Sequence, residues 1–435
     1  PHTVLTSPPA LTYLTAHRTS GGTTGRVSTE DAIVAMRCLH RLSLADHIPS
    51  TPHRAVRVHA LVQRVTRESL PADQQDALAR TAADALVAAW PDIERDTGLA
   101  RALRANAETL MRHAEGALYQ PDAHELLFRL GESLDRSGQF TAAIAHFHRL
   151  ARTIREDLSP DRPAVLTIRH NLAHLIGTAG DPAGATTAYT ELLPDLVQVL
   201  GPDHPDTLVT RLAIAWWQGV AGDAAGAAAA LADLLPDQVR LLGPNHPYTL
   251  IGRSTYCWWQ GVAGDPGGAA AGYADLLPDL VRMLGPDARA SLATRGSLAW
   301  WQGAAGDAAS AAAALADLLP DLVRVQGPDG PVTLLTRLAL ARWQDEAGTA
   351  AITAHAVSEV LPDLVRVLGP NHPGTRTIRA ILDRRRTEAG EGTNAVATLA
   401  ELFPRLAPLI SHPHFLTARH DLTSFRKQAN TESDD

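Results

Sequence analysis

RLAIAWWQGVAGDAAGAAAALADLLPDQVRLL, from Arg211 to Leu242, is followed by the loop GPNHPYTL. Its pattern returns along the chain at a fixed step. Gly138, Gly180, Gly222, Gly264, Gly306, Gly348 and Gly390 stand 42 residues apart. Arg169, Arg211, Arg253, Arg295, Arg337 and Arg379 keep the same step, as do Pro194, Pro236, Pro278, Pro320, Pro362 and Pro404. Each period holds two apolar runs at helical spacing. A period of roughly 20–50 residues built from two helices signals a helical solenoid, in which each repeat buries its face against its neighbours. The predicted fold is therefore all-α over most of the chain.

Within one period the local chemistry assigns roles. Thr207, Thr249, Ser291, Thr333 and Thr375 precede the first apolar run and are the expected N-caps, because a hydroxyl accepts from an orphan helix N–H. The first helix should close at Ala221-Gly222, since glycine tolerates the left-handed conformation. Asp223 then caps the second helix, with Asp181, Asp265 and Asp307 in the same phase. Pro236 falls inside that helix and should kink it. The recurrent Arg211-type arginine and the Asp237-type aspartate (Asp195, Asp279, Asp321, Asp363) share the step and are expected to pair.

LGPDHPDTL at Leu200–Leu208, LGPNHPYTL at Leu242–Leu250 and RHNLAHLIGTAGD at Arg169–Asp181 resemble tetratricopeptide repeats. The resemblance is to the 42-residue kind found in kinesin light chains and many actinobacterial regulators. It covers about seven repeats, residues 123–420, and leaves 421–435, ending TESDD, as a disordered tail. The usual aromatic near the end of the first helix is here Gln218, Gln260, Gln302 and Gln344. The resemblance implies that the first helices line a concave groove. Helical phase then turns Trp216, Trp258 and Trp300 toward the groove, flanked by Val209 and Ile251. Trp217, Trp259, Trp301 and Trp343 point about a hundred degrees away, into the packing between helices. Two readings of the first set stand open: a half-exposed ladder for a peptide or partner helix, or further packing inside a tight superhelix. Asn171 matches an asparagine that holds the ligand backbone in peptide-binding relatives, and Arg342 and Arg384 continue the same face.

Upstream, residues 1–27 are rich in Thr, Ser, Pro and Gly and read as a loop segment; GGTTG at Gly21–Gly25 lacks the Gly-Lys-Ser/Thr ending of a phosphate loop. Residues 28–69 read as helix, short hairpin and helix, a small winged-helix-like unit, and residues 70–122 as linker helices. AIVAMRCLHRLSLADH followed by RVHALVQRVTRESLP is similar to the end of the nucleotide-binding module of NB-ARC-type STAND NTPases, over about forty residues. The resemblance puts His59 where that family senses the β-phosphate of ADP, although the family's Met-His-Asp is Val58-His59-Ala60 here. Read by itself, His59 packs against or caps a helix.

Composition narrows the function. The net charge is −8 with basic residues dispersed, which excludes a nucleic-acid surface. Lys427 is the sole lysine among 39 basic residues, a bias expected of a GC-rich, actinobacterial genome. Cys38 and Cys257 are expected as buried free thiols, consistent with a reducing cytoplasm. No apolar run approaches the ~20 residues of a membrane helix. His204, His246 and His372 lie in separate loops and are expected to cap them, with no metal. No acid, base and nucleophile converge, and no Walker lysine is present, so the chain is expected to be non-enzymatic, with ATP or ADP relevant only if an upstream NTPase module exists. The chain begins at Pro1, without methionine, and is expected to be part of a longer or processed protein. The two resemblances imply an interaction scaffold: the sensor region of a STAND-type signalling protein that binds a peptide, a partner protein or its own NTPase module. The alternatives are a free-standing tetratricopeptide adaptor, or the C-terminal part of an actinobacterial transcription regulator.

Overall fold

The structure is a computed structural model. It describes residues 1–18, 25–51, 53–91, 94, 96–120, 122–137, 139–157, 163–348, 353–369, 373–388 and 401–406. Two compact units, Pro1–Ile168 and Arg169–Asp435, divide the chain.

The first unit opens with α1 (His2–Leu5) and α2 (Pro8–Ala16). The expectation of a loop over residues 1–27 is thus corrected for the first sixteen. Pro8 and Pro9 sit at the first positions of α2, where a fixed φ favours helix and a missing N–H costs nothing. Gly21–Thr24 lie outside the described residues, and with them most of the GGTTG stretch. There follow α3 (Thr29–Arg41), β1 (Ala45–His47), β2 (Val56–Val58) and α4 (Ala60–Glu68). Ser28 caps α3 in a reciprocal capping box with Asp31. The strands pair antiparallel, Asp46 opposite Arg57. Cys38 on α3 is exposed, correcting its expected burial; its helix presents that face to solvent.

Next come α5 (Ala72–Ala88), α6 (Thr97–Tyr119), α7 (Glu125–Arg136) and α8 (Phe140–Asp157). A buried polar network ties α6 and α7 to the segment that follows α5. The Trp90 indole donates to Glu94 Oε1 at 2.8 Å, and Ser133 Oγ donates to Glu94 Oε2 at 2.9 Å. Arg104 donates to Ser133 Oγ at 2.8 Å and lies 3.5 Å from the Glu94 carboxylate.

The second unit begins within α9 (Pro163–Thr178). Helix pairs then follow in register: α9 with α10 (Pro182–Leu200), α11 (Pro205–Val220) with α12 (Ala224–Leu242), and α13 (Pro247–Val262) with α14 (Pro266–Leu284). After them come α15 (Arg289–Ala304) with α16 (Ala308–Gln326), α17 (Pro331–Glu346) with α18 (Thr353–Leu368), and α19 (Pro373–Glu388). Residues 401–406 are helical as well. The tail, 421–435, lies outside the described residues.

Each turn follows from its residues. Gly222 closes α11 at φ +114°, a conformation a side chain would strain. Asp223 then accepts from Gly226 N at 2.9 Å, and Gln218 holds the other carboxylate oxygen at 2.7 Å. α12 runs unbroken through Pro236. The expected hydroxyl N-caps are corrected. Pro205 and Pro247 take the first helical position, so His204 and His246 become the N-caps, each accepting through Nδ1. The hydroxyls lie inside the first turn and donate backwards: Thr207 to the Gly201 carbonyl at 2.8 Å, Ser291 to Gly285 at 2.8 Å and Thr333 to Gly327 at 3.0 Å. They lock each pair onto the helix before it. His372 lies outside the described residues.

The Arg–Asp pairs form within repeats: Arg211–Asp237 at 3.1 Å, Arg253–Asp279 at 2.7 Å, Arg295–Asp321 at 2.8 Å, and Arg169–Asp195. A second arginine extends the later pairs to the preceding loop. Arg324 reaches Asp321 at 3.0 Å and Asp287 at 2.6 Å, and Arg282 reaches Asp279 at 2.9 Å and Asn245 at 3.0 Å. The Arg240 and Arg211 guanidiniums hold the Asp237 carboxyl below the usual carboxylate range. Farther round the unit, the Arg376 guanidinium on α19 donates to the Ala179 carbonyl at the end of α9, at 2.5 Å.

Candidate interaction face of the solenoid

Two tryptophan sets interlock from pair to pair. Trp217, Trp259, Trp301 and Trp343 press against Gly177, Gly219, Gly261 and Gly303 of the preceding pair. A Cβ at Gly261 would sit 2.7 Å from the Trp301 ring, so this glycine is a slot. The other set meets the same rings edge-on. Ring centroids are 5.7 Å apart for Trp216–Trp259, 5.2 Å for Trp258–Trp301 and 5.2 Å for Trp300–Trp343. Edge-to-face geometry at these distances is the favoured aromatic arrangement.

Trp216, Trp258 and Trp300 are therefore buried, at 5 %, 0 % and 2 % exposure. The half-exposed ladder is corrected on this point: the next pair's tryptophan covers one side of each ring. A second cover lies on Trp300. The Phe403 ring stacks on it with centroids 3.7 Å apart and planes 14° apart, and lies 6.3 Å from Trp258. Leu402 and Leu406, on the same short helix, are fully buried. The Arg342 guanidinium lies 4.8 Å from the Trp300 centroid and 4.2 Å from that of Trp343. The structure thus gathers Trp258, Trp300, Arg342 and Phe403 at one place.

The remaining predicted face residues are spread along the stack. Val209 on α11 is buried and Ile251 on α13 half-buried. Asn171 on α9 is buried, and its Nδ2 makes no hydrogen bond. The side chain of Arg384, on α19, lies outside the described residues. His59 is exposed at the N-cap of α4 and makes no side-chain capping bond. Two features escaped sequence reasoning: the Gly177-type slots, which keep the 42-residue step as far as Gly303, and Phe403.

Among the described residues no cluster of three or more His, Cys, Asp or Glu could hold a metal ion. Burial beside α14 pushes the Cys257 thiol up to about 12, so it is protonated at neutral pH. In the first unit a cleft of about 540 Å³ is lined by Met111, Leu130 and Leu134, with Glu108, Arg112 and Arg149 among its polar groups. His146 lines it and donates through Nε2 to the Leu127 carbonyl at 2.7 Å. Burial pushes its imidazolium down from 6.5 to about 4. The unfolded chain therefore binds the extra proton between these values. Stability should fall as pH drops from 6.5 to about 4, by ~3 kcal/mol in full. His146→Gln should flatten that part of the pH profile in urea titrations; an unchanged slope would exclude His146 as its source.

No described helix is long and apolar enough to cross a membrane.

This arrangement is a tetratricopeptide-type helical-pair solenoid. A tetratricopeptide repeat family matches residues 165–206. No curated protein matches in sequence. Among solved structures, a Rap protein complexed with competence and sporulation factor is similar at TM-score 0.50 and 11 % identity, over 81 % of this chain and 97 % of that one. BtubC (BKLC) from P. vanneervenii gives 0.43 and 18 %, over 55 % and 94 %. The kinesin light chain TPR-like repeats from Podosopora anserina give 0.40 and 18 %, over 46 % and 95 %.

Proposed function

We propose that the chain is a non-enzymatic protein–protein interaction scaffold whose solenoid receives a peptide or helix on the face formed by Trp258, Trp300 and Arg342. The observation that carries this reading is the Phe403–Trp300 stack: the face already holds a segment of polypeptide from about a hundred residues away. Aromatic anchors in fully desolvated pockets are the usual centres of binding energy. The Rap protein of similar fold is complexed with a factor, which agrees with a ligand-receiving solenoid. Selection of helical peptides from a random library against the full chain carrying Phe403→Ala, which uncovers the face, tests it. Aromatic-bearing binders that lose affinity about tenfold on Arg342→Ala are expected; no enrichment, or binders indifferent to the solenoid, would exclude it.

The finer assignment is the regulatory repeat region of a cytoplasmic STAND-type protein, whose partner is a protein or its own NTPase module. It is supported by the NB-ARC-like residues and by the helix–hairpin–helix order of α3, β1, β2 and α4. In addition, α4 buries none of its residues and leaves Leu61 and Val65 exposed, an apolar face open to another body. ADP sensing through His59 belongs to this reading alone. Its test is the coding sequence upstream of Pro1: a Walker A motif about 200–300 residues earlier is expected. A start codon close to Pro1 would favour the adaptor.

A further inference from the structure

The 401–406 helix is out of place by its own sequence. Leu402-Phe403-Pro404-Arg405-Leu406 stands in the phase of Leu276-Leu277-Pro278-Asp279-Leu280 and Leu318-Leu319-Pro320-Asp321-Leu322. It is thus the second helix of the pair that α19 begins. Its Phe403 instead stacks on Trp300, on the first helix of a pair two repeats earlier.

Two substitutions accompany this. From the pair of α9 and α10 to that of α15 and α16 an arginine of the first helix bonds an aspartate of the second, as Arg253 does Asp279 and Arg295 does Asp321. In the last pair Arg379 and Arg405 occupy those phases. Two cations replace an ion pair, so the bond that joins a second helix to its own first helix is lost. Arg405 lies 3.7 Å from Glu401 on its own helix and is largely exposed. At the same time Phe403 replaces Leu277 and Leu319, which supplies a ring for Trp300. Only 7 % of Phe403 is exposed, so the stack is desolvated.

We infer that the Trp258–Trp300 face is a docking surface for a helix that presents an aromatic ring, and that residues 401–406 are its resident, displaceable occupant. The inference rests on the proposed scaffold function and names its partner class. The incoming helix supplies a ring for Trp300. A carboxylate near that ring would meet the Arg342 guanidinium, whose buried Nε makes no hydrogen bond. The resident helix is tethered, and a tether gives an effective concentration on the order of millimolar. A free helix of equal intrinsic affinity therefore competes at a disadvantage until the resident is weakened.

The test uses the full chain and a fluorescein-labelled peptide of residues 396–409. With Phe403→Ala in the chain, the peptide should bind at least about tenfold more tightly than to the parent chain, and acrylamide should quench tryptophan emission more strongly. The same peptide carrying Phe403→Ala should not compete. Equal binding to both chains, or binding to neither with unchanged quenching, would overturn the inference. Should Phe403→Ala disturb the fold by circular dichroism, a second design keeps Phe403 in the chain. A protease site placed within 389–400 is cut after folding. The cut segment should dissociate on dilution, with quenching rising as concentration falls. A segment that stays bound at nanomolar concentration would be permanent core, and the inference would fall. If library peptides bind the solenoid while residues 396–409 do not, the scaffold function stands and only the resident occupant is lost.

Discussion

Replacing Trp301 by alanine should destabilise the second unit by about 3–5 kcal/mol, the usual cost of emptying a buried tryptophan site. Trp301 is 4 % exposed, fills the slot at Gly261 and meets Trp258 edge-on. Gly261→Ala should cost about 1–3 kcal/mol for the opposite reason, since its methyl would overlap the ring. The two changes touch the same space, so they should not add. In the Trp301→Ala background the Gly261 methyl enters a vacated hole, and its own cost should largely vanish. Urea unfolding of the four chains checks this. Additive losses would mean that the two residues do not meet. A solenoid need not unfold in one step, so amide exchange in α13 and α15 should accompany the titration.

The second large effect lies in the first unit. Glu94 and Arg104 are 9 % and 12 % exposed, and the carboxylate also accepts from Trp90 and Ser133. Glu94→Ala leaves a guanidinium without its counter-charge, and an indole N–H and a hydroxyl without their acceptor. A loss of about 3–5 kcal/mol is expected, because removing one partner of a buried pair exposes the desolvation cost of the other. Glu94→Gln keeps an acceptor for Trp90 and should lose distinctly less. Hydrogen exchange of α6 and α7 amides reads the effect locally; a loss below about 1 kcal/mol would show that water reaches the pair.

Much of this architecture was legible because a repeat writes each contact several times. Gly222, Asp223 and the Arg211–Asp237 pair could be assigned from phase, and the structure holds them at those roles. The N-caps were misplaced by three residues; in α11, α13 and α17 proline at the first helical position outranks a hydroxyl as a start signal. Burial of Trp216, Trp258 and Trp300 was not legible. It depends on how far each pair turns relative to the last, which no single period contains. The displacement of the last helix left a trace that phase could have shown: Arg405 stands where every earlier repeat from Asp195 to Asp363 has an aspartate. Its destination on Trp300 is a long-range event, and helical periodicity carries only local information.

The Arg376–Ala179 hydrogen bond has a kinetic consequence. Helix-pair stacks owe their fast assembly to low contact order: any pair can nucleate, and neighbours add to it. This bond joins residues 197 positions apart, across the five pairs from α9 to α18. Closing so long a loop is entropically unfavourable until the intervening pairs are ordered. The clasp therefore forms last on the way in. It is also the first contact to open on the way out, so the end of α9 and the start of α19 should fray before any pair between them.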